Sequence, residues 1–248
     1  MKKIINLNCD LGEGGAYDSE IMPLISSCNI ACGGHVGDEN SIYSALKLAV
    51  EHKVLVGAHP SFPDLINFGR VKLQMSKSDL KESLHQQLSD FFKIAKDLQV
   101  TGHHVKPHGA LYHEVASNPE IAELFLHVVN GFSDEIVLYT APNSELTKLN
   151  IPTIRIYKEV FADRAYHKNG SLVSRTQKVA VLSDKEQVNE QVLHLAKDKQ
   201  VKSIEGSWIK LDFDTICFHS DSPNALENLK AVKQMLKENE IQIQKANA

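Results

Sequence analysis

Ionisable side chains of the kinds used in hydrolysis recur along the chain, each just after a short apolar run. Carboxylates and imidazoles in such positions can activate water, either as general bases or by holding a metal ion. Lysine and arginine can bind or stabilise an anion. These residues are Asp10, Glu13, His35, His59, Lys106, His108, Glu159 and His219, with Arg70, Arg164 and Arg175 nearby. Together they predict hydrolysis coupled to the recognition of an anionic group.

Covalent acyl-enzyme chemistry is not indicated by the sequence. The chain has no Gly-x-Ser-x-Gly motif, which is the usual setting of a nucleophilic serine. Its four cysteines form no Cys-x-x-Cys pair, and they stand beside or within apolar runs: Cys9, Cys28, Cys32 and Cys217. Such cysteines are typical of buried reduced thiols, so we expect a cytosolic protein.

Several polar residues have simpler explanations than catalysis. Asp38 and Asp221 are equally well explained as helix N-caps. Four histidines fall within predicted helices and are expected at the surface: His52, His85, His127 and His194. His103 and His104 are explained by strand packing. His35, His59, His108 and His219 remain, each just past a predicted strand, and their coincidence favours a common site.

Seven short apolar or β-branched runs predict buried strands, at residues 3–9, 27–32, 54–58, 102–106, 135–140, 152–157 and 213–218. Helical periodicity separates most of them. It follows Asp38, begins again near Ser76, and recurs at about 117–130, 184–200 and 223–238. The irregular polar stretch 158–178 is expected to be an active-site loop.

Alternation of strands and helices predicts a mostly parallel sheet, because each helix returns the chain to the start of the next strand. Seven or eight such units fit a closed or nearly closed (β/α) barrel, with an open doubly wound sheet as the alternative. No linker interrupts the sequence, so residues 1–248 are expected to form one domain. In either architecture the carboxyl ends of the strands carry the ligand site.

Composition excludes some classes of function. Hydrophobic residues make up 42% of the chain and charged residues 23%, with a formal net charge of -4. These values are ordinary for a globular protein and give no reason to expect a nucleic-acid partner. No run approaches the roughly 20 apolar residues that span a bilayer, so no membrane association is expected.

The segments at the ends of the predicted strands resemble those of the LamB/YcsF family, in the family's order and over nearly the whole chain. The segments that carry this resemblance are Asn8 to Gly14, Asn29 to Gly33, Gly57 to Pro60, Lys106 to Tyr112, Phe161 to Tyr166 and Asp214 to His219. Members of the family are described as the A subunit of the prokaryotic 5-oxoprolinase. The resemblance also implies a (β/α) barrel related to those of the polysaccharide deacetylases.

The activity implied by the resemblance is ATP-dependent opening of the lactam of 5-oxo-L-proline to give L-glutamate. ATP, with magnesium, would be the co-substrate, and separate B and C subunits would be the partners in the cytoplasm. How many copies of the chain assemble is left open, with a homo-oligomer as one option. Which of the subunits transfers the phosphoryl group is also left open.

Roles for the polar residues follow from that reaction. Asp10 or Glu13, paired with His59, would activate water, while Lys106 and His108 would stabilise developing negative charge. Arg164 or Arg70 would grip the substrate carboxylate. The remaining substrate-binding candidates are Asn29, Glu159, Asp163 and His219.

Two other interpretations compete with this one. The first is a metal-dependent amidase or deacetylase in which Asp10, His35 and His59 hold a divalent ion, since a carboxylate with imidazoles is also a common metal-binding set. The second is a non-catalytic scaffold protein. The number of ionisable groups argues against a scaffold, because a scaffold has no need to desolvate them.

Overall fold

Seven parallel strands close into a barrel with helices around it, in a computed structural model that describes residues 3–132, 135–149 and 152–245. The strands are β1 (Lys3–Ile5), β2 (Leu7–Leu11), β3 (Ser27–Ala31), β4 (Leu55–His59), β5 (Gly102–Val105), β6 (Ile136–Thr140), β7 (Ile154–Phe161), β8 (Gln200–Lys202), β9 (Trp208–Lys210), β10 (Thr215–His219) and β11 (Ile241–Ile243). The helices are α1 (Asp18–Ile21), α2 (Glu39–Glu51), α3 (Lys77–Asp97), α4 (Gly109–Ser117), α5 (Pro119–Val129), α6 (Lys185–Asp198) and α7 (Ala225–Glu238), with short 3₁₀ turns at Met22–Leu24 and Glu145–Lys148.

The barrel order is β10, β2, β3, β4, β5, β6, β7, and β7 pairs with β10 to close it. This confirms the predicted closed barrel, with seven units, and excludes the open sheet. The register sets His219 beside Asp10, and Asp10 beside Asn29. Because all seven strands are parallel, their carboxyl ends share one rim.

Alternate residues of each strand face opposite sides of the barrel wall. In β2, Leu7, Cys9 and Leu11 join the main hydrophobic core, which the helices cover. Asn8, between them, donates a hydrogen bond of 2.8 Å to Thr215 Oγ1. The barrel therefore has an apolar outer face and a hydrogen-bonded polar interior, which forms the floor beneath the rim.

Two strand predictions were partly wrong. The predicted strand 3–9 is two strands, since β1 lies outside the barrel and pairs in parallel with β11. Asn6 interrupts them, and its backbone carbonyl accepts a hydrogen bond from Ile216 N instead. The strand predicted at 152–157 continues as β7 to Phe161, so the irregular segment starts at residue 162 rather than 158.

The helix predicted at 117–130 is α5, which begins at Pro119, and a separate helix, α4, precedes it and ends at Ser117. Helix α4 was missed since it starts at Gly109, a poor helix former. Glycine is required there: its φ is +52°, and a Cβ would lie 2.5 Å from the carbonyl oxygen of Gly69. The loop around Gly69 therefore packs closely on the start of α4, where Ala110 N donates to the Gly69 carbonyl.

The other local expectations can be checked directly. Asp38 caps α2 through a 2.8 Å bond from Ser41 N, so its simpler explanation is confirmed, whereas Asp221 does not cap α7. All four cysteines are free and buried. Of the helical histidines, three are exposed and His194 is half-buried beside Trp208. Among the described residues, none of the helices has the length and apolar character to cross a membrane.

Candidate active site

A narrow cavity of about 40 Å³ lies at the carboxyl rim of the barrel. Nine of the residues predicted from the sequence line it: Asp10, Glu13, His59, Arg70, Lys106, His108, Arg164, Arg175 and His219. The other four predicted residues, Asn29, His35, Glu159 and Asp163, are buried against this lining. The residues come from separate strands, and the parallel closure brings them together.

Lys106 and Asp10 form the central ion pair of the cavity. Lys106 Nζ lies 2.7 Å from Asp10 Oδ1 and 3.1 Å from Glu159 Oε1. It also donates a hydrogen bond of 3.0 Å to Cys217 Sγ, so the ammonium group has two hydrogen-bond acceptors, Asp10 and Cys217, while Glu159 contributes its charge. Burial opposes both charges most strongly, but the pairing outweighs it. The pKa of Asp10 is held well below its usual range, and that of Lys106 well above.

A chain of hydrogen bonds beneath Asp10 holds its carboxylate in place. Asn29 Nδ2 donates to Asp10 Oδ1 at 2.7 Å, and Asn29 Oδ1 accepts from His104 Nε2 at 2.7 Å. His104 stacks on Tyr139 inside the barrel. Its ring fits because Gly57 has no side chain, since a Cβ there would lie 2.2 Å from His104 Cδ2. Asn29 is thus a positioning residue for Asp10.

His59 and His108 face one another across the cavity floor. His59 Nδ1 donates to the carbonyl of Lys106 at 2.8 Å, and His108 Nε2 donates to the carbonyl of Phe68 at 2.9 Å. The two remaining nitrogens, His59 Nε2 and His108 Nδ1, are 3.0 Å apart. A carbonyl only accepts, so both of these nitrogens are bare when both rings are neutral. Only a proton or a metal ion between them can make this contact favourable.

Glu13 and His35 complete the histidine cluster. Glu13 Oε1 lies 3.0 Å from His35 Nε2 and 3.4 Å from His108 Nδ1. Burial, with the Asp10 charge, raises the pKa of Glu13 well above its usual range. Burial, with His59, lowers the pKa of His35 to about 3. Burial also lowers the pKa of His108. Most of this cluster is therefore held neutral.

Two groupings in the cluster have the composition and spacing of a metal site. Asp10, His59 and His108 form the first, and Glu13, His35 and His108 the second. In each grouping the ligand atoms lie within 4.8 Å of one another. The set predicted from the sequence, Asp10 with His35 and His59, differs from the first grouping because His108 takes the position given to His35. A carboxylate with two imidazoles is compatible with a divalent metal.

His219, the fourth histidine at the rim, is oriented by the carboxylate of Asp163. Asp163 Oδ1 accepts from His219 Nδ1 at 2.9 Å, and Asp163 Oδ2 accepts from the backbone N–H of His219 and from Ser222 Oγ. Burial opposes the charge of Asp163, but these contacts outweigh it and lower its pKa. With Nδ1 fixed as a donor, His219 Nε2 is left for a ligand.

The three arginines of the rim have different surroundings. Arg70 is ion-paired with Asp221. Arg164 is buried, and it donates to the backbone carbonyls of Val173 and Ala180. Arg175 is exposed and lines the same cavity. The segment after β7 therefore delivers two of the three, which agrees with the expectation of an active-site loop there.

Sequence reasoning missed two residues that support this site. His104 was assigned to strand packing, and Cys217 only to a buried thiol. His104 is buried inside the barrel beneath Asp10, and Cys217 accepts from Lys106. Side chains two residues apart on a strand point to the same side. His104 therefore shares a side with Lys106, and Cys217 with His219, so strand alternation could have identified both residues.

Comparison with known proteins agrees with this geometry. The model of the LamB/YcsF family matches residues 5–248. The chain belongs to the LamB/YcsF family. Two relatives are each named as the A subunit of 5-oxoprolinase. The one from Tolumonas auensis is 41% identical, covering 94% of this chain and 95% of that protein. The one from Pyrococcus abyssi is 39% identical, covering 96% of each. The homologues support an enzyme acting on a lactam.

Solved structures extend the comparison for the LamB/YcsF fold. A lactam utilization protein from Thermus thermophilus superposes with a TM-score of 0.89, at 33% identity and over all of both chains. The peptidoglycan deacetylase PdaC from Bacillus subtilis gives a TM-score of 0.53 at 12% identity, covering 98% of this chain and 88% of that one. The second likeness shows the fold alone. It confirms the predicted likeness of fold to the deacetylase barrels.

Proposed function

We propose that this chain opens the lactam ring of 5-oxo-L-proline to give L-glutamate, with ATP and magnesium, as the A subunit of a cytoplasmic 5-oxoprolinase that also contains B and C subunits. The observation that carries the proposal is the cluster of Asp10, His59, Lys106 and His108 in one cavity of a LamB/YcsF chain. A lactam is a stable amide, so coupling to ATP is chemically reasonable. Phosphorylation of the lactam oxygen would make the ring carbon a better electrophile.

Water activation falls to His59 and Asp10. His59 Nε2 carries the free lone pair of the neutral ring, because Nδ1 donates to the Lys106 carbonyl. Asp10 Oδ2 lies 3.5 Å from that nitrogen and stabilises the ring when it takes a proton. Lys106 contributes positive charge beside developing negative charge, and its ammonium group donates hydrogen bonds to Asp10 Oδ1 and Cys217 Sγ.

Protonation of the ring nitrogen decides whether the reaction is productive. After water adds to the ring carbon that bears the phosphorylated oxygen, loss of phosphate would regenerate the lactam. Breaking the carbon–nitrogen bond instead gives an acyl phosphate and a free amine, and a second water then releases glutamate and phosphate. The proton that His59 Nε2 takes from water can be shared with His108 Nδ1, 3.0 Å away, and passed to the leaving nitrogen. Their contact therefore favours ring opening.

The experiment that tests the proposal measures glutamate formed from 5-oxo-L-proline and ATP, for this chain alone and with its candidate partner subunits. We expect glutamate only with the partners present and only with ATP. A scaffold role predicts that Asp10→Asn and His108→Gln leave the activity of the assembled enzyme intact. Full activity in both variants would therefore reject the catalytic assignment.

The second candidate is a metal-dependent amidase or deacetylase, favoured by the two bare nitrogens of His59 and His108 beside Asp10. His59 Nε2 lies 3.0 Å from His108 Nδ1 and 3.5 Å from Asp10 Oδ2. The opposite nitrogen of each ring donates its proton to a backbone carbonyl, as histidine ligands commonly do. A bound divalent ion would lower the pKa of water. Stoichiometric zinc, together with amide hydrolysis that needs no ATP, would favour this candidate.

A further inference from the structure

Two guanidinium groups at the cavity mouth have no carboxylate partner. Arg70 is paired with Asp221, and Lys106 with Asp10 and Glu159. Within the described ranges, neither Arg164 nor Arg175 has a carboxylate within 4 Å. Both line the cavity. The mouth therefore carries positive charge that the protein itself does not neutralise.

Arg164 has the greater need of a counter-ion, because its side chain is buried and the residue is only 3% exposed. Its Nε and Nη2 donate to the carbonyls of Ala180 and Val173, which fixes the side chain without supplying negative charge. Burial, and then the nearby Arg175, lower its pKa to about 10, so it stays charged at neutral pH. A buried charge without a counter-ion is costly. Such a group at a cavity wall indicates an anionic ligand.

Arg175 lines the same cavity as Arg164. Burial lowers the pKa of His113, which also lines the cavity, and the charges of Arg164 and Arg175 lower it further. Arg175 lies in the segment between Val173 and Ala180. The backbone carbonyls of these two residues accept the hydrogen bonds of Arg164. The two guanidinium groups thus line one cavity together with the imidazole of His113.

The acidic residues of the lining do not offset this charge. Asp10 is committed to Lys106. Glu13 Oε1 is occupied by His35 Nε2 at 3.0 Å and His108 Nδ1 at 3.4 Å. Asp163, behind the wall, is occupied by His219 and Ser222. The side chain of Arg164 is thus held by two backbone carbonyls rather than by a carboxylate.

We infer that the substrate of this cavity carries two anionic groups, a carboxylate and a phosphoryl group, which Arg164 and Arg175 bind together. 5-Oxo-L-proline has a single carboxylate, which one guanidinium satisfies, and arginine pairs well with phosphate. The inference rests on the proposed function and narrows its substrate to a lactam phosphorylated on oxygen. A phosphoryl transfer from a nucleoside triphosphate must supply that compound.

The glycine-rich segment after β2 gives no alternative phosphate cradle. Residues 12–15 match neither a Walker nor a dinucleotide-binding fingerprint. The backbone N–H of Gly12 donates to Asp18 Oδ2 instead of facing a ligand. Helix α1, which follows, has only four residues. The observations thus favour the arginines over this segment as the anion site.

A stable mimic tests the two-anion site by isothermal titration calorimetry on the full chain. 5-Phosphonopentanoate has a carboxylate and a phosphonate separated by four carbon atoms. The shortest path between the carboxylate and the phosphorus atom of the phosphorylated lactam also has four atoms. Pentanoate has the carboxylate alone. We expect the phosphonate to bind at least about tenfold more tightly, as one charge-assisted contact provides. Arg175→Gln should reduce this advantage to within about threefold. Arg155→Gln, at the opposite end of β7, is the matched control and should leave the advantage unchanged.

Equal affinity for the two compounds would overturn the inference, and so would an equal loss in the Arg155 and Arg175 variants. The outcome is separable from the proposed function. Glutamate release by the assembled enzyme without selective phosphonate binding would reject only the two-anion site. Selective binding through Arg175, without glutamate release by the assembly, would reject the lactam activity and leave the site standing.

Discussion

His59 Nε2 and His108 Nδ1 lie 3.0 Å apart, and the opposite nitrogen of each ring donates to a backbone carbonyl. The backbone therefore fixes both tautomers before any ligand arrives. The carbonyl that binds His108 belongs to Phe68, whose φ of +54° is rare for a non-glycine residue. A strained backbone at this point is consistent with a functional demand on its direction.

Replacing His59 tests the role of this pair. We expect His59→Ala to lower the rate of glutamate release by the assembled enzyme by about 10²- to 10⁴-fold, the usual contribution of a general acid or base. The barrel should still fold, which circular dichroism would show. His127→Ala, on the exposed face of α5, is the control and should keep full activity. A fully active His59 variant would remove the residue from the mechanism.

Removing Lys106 should affect stability as well as activity. Lys106→Met would leave Asp10 and Glu159 buried without their cation, so we expect a loss of about 3–5 kcal/mol in the free energy of unfolding. Urea denaturation measures this loss. Lys158→Met removes a lysine whose partner, Asp212, is 72% exposed, and should cost less than about 1 kcal/mol. Similar losses in the two variants would contradict the buried pairing.

The barrel interior predicts a steric test of Asp10 positioning. Gly57→Ala would put a Cβ 2.2 Å from the ring of His104, and we expect a loss of about 1–3 kcal/mol in stability. Displacement of His104 should also free Asn29, and so lower the turnover rate more than it changes KM. In the double variant Gly57→Ala with His104→Ala, the stability losses should be less than additive. Simple additivity would show that the two residues do not interact.

Protonation of His35 should make the protein less stable in mild acid. Its pKa is about 3 in the folded protein and about 6.5 when unfolded. Between these values the unfolded chain binds the extra proton, so the stability present above pH 6.5 is lost as the pH falls. From pH 7 to pH 5 we expect a contribution of about 2 kcal/mol.

The contribution of His35 can be isolated by comparing urea midpoints at the two pH values. The His35→Asn variant should be less sensitive to pH than the unaltered protein by that amount. The exposed His85→Asn serves as the control and should show the original dependence. Unchanged pH sensitivity in the His35 variant would mean that this ring is not held neutral.

The rim was predictable because parallel strands bring their carboxyl ends together. Asp10, His59 and Lys106 could therefore be placed in one site from their positions after apolar runs. Partner choice was not predictable. The position of His108 opposite His59 depends on the loop through Phe68 and Gly69, which no period in the sequence specifies. The interior position of His104 depends on the missing side chain at Gly57, a contact between two strands.

Strand β1 pairs with β11 at the amino-terminal end of the barrel, while the cavity opens at the other end. Attachment through a tag beyond β11 would therefore present the cavity outward. A protein immobilised on a sensor surface by that end would leave its arginines accessible to small anions and to large partner subunits alike. Attachment through the segment around Arg175 would instead block them.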